Sequence, residues 1–117
     1  MAIQYTELVD VPYICKILRF FLSNSTVKES DLYDRISKNQ VRPRLEMMEA
    51  EGIIGYEFSD SGHLHKRYTL TEKGYLYALA LLIANDIDKD RIDMETDELR
   101  TSLESICSKC SFRNELQ

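Results

Sequence analysis

Two short stretches concentrate the side chains that could bind a negatively charged, hydrogen-bonding partner. The first contains Lys38, Asn39, Gln40, Arg42, Pro43 and Arg44, and the second contains His63, His65, Lys66 and Arg67. The paired polar atoms of Gln40 match the edge of adenine, and those of Arg42 match guanine. We expect Arg44 and the second stretch to contact phosphate, since most side-chain contacts to nucleic acid go to the backbone. The residue types therefore predict nucleic-acid binding.

Metal binding, redox chemistry and catalysis find weaker support. His63 and His65 would share one side of a strand, but no cysteine or carboxylate close in sequence completes a metal site. Cys107 and Cys110 form a lone C-x-x-C, which fits a redox pair, half of a zinc site, or two small residues of a helix seam. We interpret the pair as structural and predict no cofactor. Phosphate-loop, nucleophile-elbow and zinc-protease motifs are absent from the sequence, so we do not expect an enzyme.

Net charge argues against nucleic-acid binding only until its distribution is considered. The 117 residues carry a formal net charge of −5. Residues 86–98 hold seven acids and two bases, which alone gives −5, so the remaining thirteen acids and thirteen bases cancel. Residues 35–44 contain four bases and no acid. The local charge therefore predicts a basic binding face beside an acidic linker.

Apolar spacing predicts three helices before the first glycine. Asp10 should cap the first helix, with Pro12 in its first turn and a broad apolar face of Ile14, Ile17, Leu18, Phe21 and Leu22. The second helix is expected at about Lys28 to Ser37, where Thr26 and Glu29 have capping-box spacing.

The third helix should begin at Asn39 or later, because a proline costs little only in the first turn. It should end before Gly52, which tolerates the left-handed conformation that often stops a helix. Its inward side chains are Val41, Leu45 and Met48, which leaves Asn39, Pro43, Glu46, Met47 and Ala50 pointing outward. Of these, Asn39, Pro43 and Met47 are candidate DNA-binding residues.

A hairpin and two further helices follow. Alternation predicts a half-buried strand with Ile54, Tyr56 and Phe58 on one side, and a return strand with Leu64, Lys66, Tyr68 and Leu70. Thr71 should cap a fourth helix, Glu72 to about Asn85, whose apolar surface predicts a subunit interface. A last helix, roughly Asp97 to Arg113, carries a short heptad seam of Leu99, Leu103, Ile106 and Cys110.

Helix, short turn, helix and hairpin together resemble a winged helix-turn-helix. The run LEMMEAEGII that begins at Leu45 resembles the recognition-helix ending of many prokaryotic winged-helix regulators. The run YTLTEKG that begins at Tyr68 is similar to the strand-to-helix junction of the PadR, MarR and HxlR types. This resemblance covers about residues 12–84. It implies that the third helix enters the major groove while the wing contacts the backbone or minor groove.

These observations predict a mainly α protein with a small β-hairpin and three parts. They are a winged-helix domain at residues 10–85, an acidic linker at 86–96 and a C-terminal dimerisation helix at 97–117. We expect a cytoplasmic, homodimeric regulator that binds double-stranded DNA in a sequence-specific manner and does not enter membranes. The alternatives are a winged helix that binds protein instead of DNA, and a redox- or metal-responsive switch through Cys107 and Cys110.

Overall fold

The computed structural model describes residues 7–59, 65–91 and 97–109. The chain divides into two compact units, Met1–Ala84 and Asn85–Gln117. A 3₁₀ helix at Leu8–Asp10 precedes α1 (Ile14–Ser23), and a second 3₁₀ helix at Glu29–Leu32 precedes α2 (Lys38–Ala50). The hairpin strands β1 (Ile54–Phe58) and β2 (Lys66–Leu70) follow. The last two helices are α3 (Glu72–Asp88) and α4 (Asp97–Ser108). The predicted fold class, mainly α with one β-hairpin, is confirmed.

The first helix begins later than predicted. Leu8–Asp10 forms its own short turn, closed by a hydrogen bond from the Val11 N–H to the Leu8 carbonyl, so Asp10 does not cap α1. Tyr13 occupies the N-cap position with a left-handed backbone (φ 72°), and Pro12 lies outside the helix. A non-glycine residue in this conformation needs support from its surroundings, and Arg44 provides it through contacts with the Pro12 carbonyl and the Tyr13 ring.

The predicted second helix is replaced by the 3₁₀ helix Glu29–Leu32 and a following turn. Val27 is held in an extended conformation because its N–H donates to the Tyr68 carbonyl at 2.9 Å and its carbonyl accepts from the Tyr68 N–H at 2.8 Å. The Asp31 carboxylate accepts from the Lys28 N–H at 2.9 Å, so the predicted capping box of Thr26 and Glu29 is wrong. Short polar side chains that bind nearby backbone compete with α-helix in this way.

The third predicted helix corresponds to α2, which starts at Lys38. The expectation that Pro43 lies in its first turn is wrong, because Pro43 is the sixth residue of the helix. Since proline has no N–H, the Asn39 carbonyl receives no hydrogen bond from the residue four positions later. The inner face is as predicted, with Val41, Leu45 and Met48 fully buried.

One core joins these elements. The predicted apolar face of α1 is buried at Ile14, Ile17, Leu18 and Phe21, whereas Leu22 is exposed. They share the core with residues from the 3₁₀ segments, α2, the hairpin and α3, including Val27, Leu32, Ile36, Val41, Leu45, Met48, Ile53, Ile54, Tyr68, Ala78 and Leu82. Burial of this apolar set is the main stabilising term of the winged-helix unit.

The antiparallel hairpin pairs Ile54 with Leu70, Tyr56 with Tyr68, and Phe58 with Lys66. Only Ile54, the first residue of β1, is buried. Tyr56 and Phe58 are 41% and 51% exposed, so the strand is present as predicted but the burial predicted for these two side chains is wrong. Their rings pack edge to face at 5.3 Å between centroids. Within residues 7–59, 65–91 and 97–109, no other element buries Tyr56 or Phe58, and we call the hairpin the wing.

The junction between hairpin and α3 is closely packed. Thr71 caps α3 as predicted, since its hydroxyl accepts from the Gly74 N–H at 2.9 Å. The same hydroxyl lies 2.5 Å from the Gly52 carbonyl oxygen. Gly52 has the left-handed backbone predicted for the end of α2 (φ 76°). A Cβ atom on Gly74 would lie 1.8 Å from the Ile53 carbonyl oxygen, so this position requires glycine.

The last two helices differ from prediction in their ends. α3 continues to Asp88, three residues into the segment predicted as acidic linker, and α4 ends at Ser108 rather than near Arg113. Residues 110–117, including Cys110, lie outside the described part of the chain. Among the described residues no helix is long and apolar enough to cross a membrane.

Candidate nucleic-acid interface

A cleft of about 590 Å³ separates α2 from the wing, with the 3₁₀ helix Glu29–Leu32 along its third side. Four bases line it, namely Lys28, Lys38, Arg42 and Lys66, together with two acids, Glu29 and Glu46. Its aromatic lining comes from Tyr33, Phe58 and Tyr68, and His65 completes the wing side. The backbone pairing of Val27 with Tyr68 brings Lys28 and Glu29 into this position. The cleft is open and, on balance, basic.

Arg42 is held in the cleft by two hydrogen bonds to the Glu29 carboxylate. Its Nε donates to Glu29 Oε1 at 3.0 Å, and its Nη2 donates to Glu29 Oε2 at 3.3 Å. Glu29 Oε2 also accepts from the Tyr33 hydroxyl. The Arg42 side chain is nevertheless 69% exposed, whereas that of Glu29 is 19% exposed. The guanidinium is thus hydrogen-bonded to Glu29 along the edge that carries Nε and Nη2, while most of the side chain is exposed to solvent.

The charge state of this group follows from its contacts. Partial burial raises the pKa of the Glu29 carboxyl, but hydrogen bonds from Arg42 and Tyr33 oppose it and together hold that pKa below its ordinary value. The hydrogen bond to Glu29 raises the pKa of the Tyr33 phenol, and burial adds to this. Glu29 is therefore ionised at neutral pH and Tyr33 is a neutral donor.

Lys38 and Lys66 face the cleft from its two sides. Lys38 is the first residue of α2, and its ammonium lies 5.6 Å from the centre of the Tyr33 ring. The Lys66 ammonium lies 4.1 Å from the centre of the Tyr56 ring. It also lies 3.7 Å from Glu49 Oε1, an ion-pair distance beyond hydrogen-bonding range. Both cations lie over aromatic rings, which helps to order them, and Lys66 has Glu49 as an additional charged neighbour.

Arg44 and Arg35 belong to a different surface. Arg44 Nε donates to the Pro12 carbonyl at 2.7 Å and Nη1 donates to the Gln40 carbonyl at 2.9 Å. Its guanidinium also lies 5.3 Å from the centre of the Tyr13 ring. Arg35 stacks on Phe20 at 5.0 Å. Of the four bases in residues 35–44, only Lys38 and Arg42 line the cleft, and phosphate contact by Arg44 stays a prediction that this geometry disfavours.

The remaining predicted residues of α2 divide by exposure. Asn39 and Pro43 are exposed and line a shallow surface next to Arg42 and Glu46. Asn39 Oδ1 accepts from the Ser37 hydroxyl at 3.0 Å. Gln40 is half-buried, and Met47 is half-buried against the core instead of projecting freely outward. Reading of adenine by Gln40 and base contact by the others stay predictions.

The wing places its predicted residues on two faces. His65 precedes β2 and lines the cleft with Lys66, although alternation predicted that the two would face opposite sides. Arg67 is paired in register with Glu57, one position along from Tyr68, and is therefore on the other face of the hairpin. His63 lies outside the described residues. The cleft thus takes Lys66 and His65 from the wing.

Sequence reasoning missed Lys28, Glu29 and Tyr33 as members of this site. Glu29 and Arg42 are thirteen residues apart, and no local spacing rule connects them. The four-residue spacing of Glu29 and Tyr33 was a usable signal for a contact within one turn. The capping-box spacing of Thr26 and Glu29 predicts a different role for the same side chain.

The thiols are distributed over both units. Cys15 is half-buried on α1 and Cys107 is exposed on α4; both are free. Within the described ranges, no three His, Cys, Asp or Glu side chains are grouped closely enough to hold a metal ion.

Comparisons with known proteins identify the fold. No family model and no curated protein matches the sequence. Among solved structures, diamide-treated YodB from B. subtilis has a TM-score of 0.62 at 17% identity, over 74% of this chain and 87% of that one. The fold is a winged helix-turn-helix.

Two further structures support the same conclusion. A protein described as a MarR-family transcriptional regulator, from Enterococcus faecalis V583, has a TM-score of 0.61 at 21% identity, over 71% of this chain and 77% of that one. The redox regulator HypR in its oxidized form has a TM-score of 0.61 at 16% identity, over 74% of this chain and 92% of that one. The predicted resemblance to winged-helix regulators is confirmed at the level of the fold.

Proposed function

We propose that the protein is a sequence-specific regulator of transcription that binds double-stranded DNA through the cleft between α2 and the wing. The observation that carries the proposal is that Lys28, Lys38, Arg42 and Lys66 converge on one open cleft of a winged helix. In this geometry α2 would enter the major groove, and the wing would lie on the adjacent backbone or minor groove. The similar structures described as transcriptional regulators support this function.

The start of α2 adds to the electrostatic attraction. Its first turn contains no acidic residue that would offset the positive end of the helix dipole, which favours a phosphate there. Lys38 and Asn39 are exposed there. The acidic overall composition does not oppose binding, because the excess of acids lies in residues 86–98.

The test is binding to a randomised pool of duplex DNA at several salt concentrations. The double variant Lys38→Ala with Arg42→Ala should lose at least about tenfold in affinity and should reduce the salt slope by about 1, for the phosphate contact of Lys38. The matched control, Lys16→Ala with Arg19→Ala, removes the same charge from exposed positions of α1 and should bind as the wild type does. Equal losses in the two folded variants would contradict the cleft as the binding site. Absence of any binding by the wild type would favour a winged helix that binds protein.

We further propose that the regulator is a homodimer joined through exposed apolar side chains of α1, α3 and α4. On α3, Tyr75, Leu76 and Leu79 are 51%, 65% and 37% exposed, and on α4 Ile106 is 58% exposed. Patches of this kind commonly mark protein interfaces. Leu76→Glu and Ile106→Glu test the two helices separately, with mass measured by light scattering. A dimer that survives both substitutions would contradict the proposal.

A redox-responsive regulator is a second candidate, favoured by the exposed thiol of Cys107 on α4. Two of the similar structures are described as diamide-treated YodB and as the redox regulator HypR in its oxidized form. Treatment with diamide should then change the thiol count and the DNA affinity of the wild type but not the affinity of Cys107→Ser. Metal analysis of the purified protein tests the zinc alternative for Cys107 and Cys110.

A further inference from the structure

We propose that Glu29 is a positioning residue for DNA readout, which holds the Arg42 guanidinium by one edge so that its opposite edge is presented to a guanine. This inference rests on the proposed function. It assigns to an acidic side chain in a basic cleft a role in base discrimination rather than in affinity.

The donor arrangement of Arg42 supports this role. A guanidinium carries five N–H groups in a planar fork. Glu29 accepts from Nε and from Nη2, which form one side of the fork. The Nη1 and remaining Nη2 hydrogens stay available, and they form the end pair that can donate to the O6 and N7 atoms of guanine. The hydrogen bonds to Glu29 and a bidentate contact to guanine are therefore compatible.

Exposure indicates which partner positions the other. The Glu29 side chain is 19% exposed and that of Arg42 is 69% exposed, so the carboxylate is the supported partner and the guanidinium is the presented one. The Tyr33 hydroxyl donates to the same carboxylate from the cleft wall. The Glu29 backbone is held by the neighbouring Lys28–Asp31 hydrogen bond and by the pairing of Val27 with β2. β2 thus fixes the start of the 3₁₀ helix, and Glu29 of that helix fixes the Arg42 side chain.

The same contact has an electrostatic cost for binding. The negative charge of Glu29 lies in the cleft that would receive a phosphate, where it weakens attraction to any DNA sequence. Because phosphate contacts carry no sequence information, this reduction falls on specific and non-specific binding alike. A pre-oriented Arg42 benefits only the complex that contains the matching base. Glu29 should therefore lower the non-specific affinity and raise the ratio of specific to non-specific affinity.

The experiment begins with the base pair that depends on Arg42. Duplexes enriched by the wild type from a randomised pool are compared with those enriched by Arg42→Lys, which keeps the charge and removes the planar fork. The base pair whose preference disappears is then placed in two 20-base-pair probes, one with the preferred pair and one with it replaced. A third probe of shuffled sequence reports non-specific affinity.

Glu29→Gln should lower the preference between the first two probes by about tenfold, the discrimination expected of one bidentate contact, and should raise affinity for the shuffled probe. Glu46→Gln is the matched control, because it removes the same charge from the same cleft without removing a hydrogen bond to Arg42. It should raise affinity for the shuffled probe and leave the preference at this base pair unchanged. In an Arg42→Lys background, Glu29→Gln should cause no further loss of preference.

Each result decides a separate question. If the wild type binds no duplex, the proposed function fails and this inference fails with it. If the wild type binds DNA and Glu29→Gln keeps its preference, only the positioning role is overturned. If Glu29→Gln does not fold, Tyr33→Phe replaces it, since it keeps the carboxylate charge and removes one donor to Glu29. A reduced preference without increased affinity for the shuffled probe supports the role, and an unchanged preference overturns it.

Discussion

Two sides of α2 differ in what their arginines do. On the cleft side, Arg42 is 69% exposed and bound to one carboxylate. On the anchored side, Arg44 donates to two backbone carbonyls and lies over Tyr13. We count with the anchored side the junction that follows α2, where the Thr71 hydroxyl donates to the Gly52 carbonyl and Gly74 packs against the Ile53 backbone. A run of basic residues in the sequence therefore need not form one basic surface. Of the four bases in residues 35–44, Arg35 and Arg44 pack against the rest of the fold instead of lining the cleft.

The largest effect expected from the anchored side is that of Gly74→Ala. The new Cβ atom would lie 1.8 Å from the Ile53 carbonyl oxygen, and the obstacle is backbone that cannot rotate away. We expect the free energy of unfolding to fall by about 3 kcal/mol or more, at the upper end of the range for overpacking. Urea denaturation measures this change.

Gly55→Ala is the matched control, because a Cβ atom there would meet only Thr71 Cγ2, at 3.9 Å. This is an ordinary van der Waals distance, so stability should stay close to that of the wild type. Equal stability of the two variants would show that the junction of hairpin and α3 is looser than its geometry indicates.

Arg44→Ala should give the next largest effect. It removes hydrogen bonds to the Pro12 and Gln40 carbonyls and uncovers the left-handed turn at Tyr13. Loss of charged hydrogen bonds of this kind costs roughly 1–3 kcal/mol. Arg42→Ala should destabilise the protein much less and weaken DNA binding much more. The comparison between the two sides of α2 would be wrong if the folded Arg44 variant lost DNA affinity as strongly as the Arg42 variant.

The parts of the fold that the sequence predicts correctly are those governed by local rules. The inner face of α2, the Gly52 stop and the Thr71 cap depend on side-chain period, backbone freedom and one hydroxyl, all within a few residues. The second helix is wrong because Val27 pairs with Tyr68, forty-one positions away. Tyr56 and Phe58 are exposed because alternation specifies which side chains share a face, but not whether another element covers that face.

The candidate site shows the same division. Lys38, Arg42 and Lys66 could be proposed from charge and spacing, and all three line the cleft. Glu29 could not be assigned to Arg42, since their contact depends on how the 3₁₀ helix docks between the wing and α2. Arg44 has the same residue type as Arg42 and lies two positions away, so only the tertiary structure separates their roles.

Acid should remove a small stabilising contribution on the cleft side. The folded pKa of Glu29 is held below its ordinary value of 4.5, so the folded state binds fewer protons at this group than the unfolded state does. Its contribution is therefore fully present above the unfolded pKa and is lost as pH falls through the folded pKa. The stability difference between wild type and Glu29→Gln should be constant near neutral pH and shrink below about pH 4.5.

The control for this pH dependence is the same comparison in an Arg42→Gln background. Without the guanidinium, much of the cause of the lowered pKa is absent, so the difference should depend less on pH. An unchanged pH profile would show that Arg42 does not hold the Glu29 carboxylate in solution.

The smallest expected effect separates the two faces of the wing. Lys66 lies on the cleft face above Tyr56, whereas Arg67 is on the opposite face beside Glu57. If the cleft receives the DNA backbone, Lys66→Met should reduce the slope of log affinity against log salt by about 1, as loss of one phosphate contact does. Arg67→Met removes the same charge one residue away and should leave the slope unchanged. A reduced slope for Arg67→Met alone would mean that the wing meets DNA with its other face, and the cleft would then contribute through α2 but not through the hairpin.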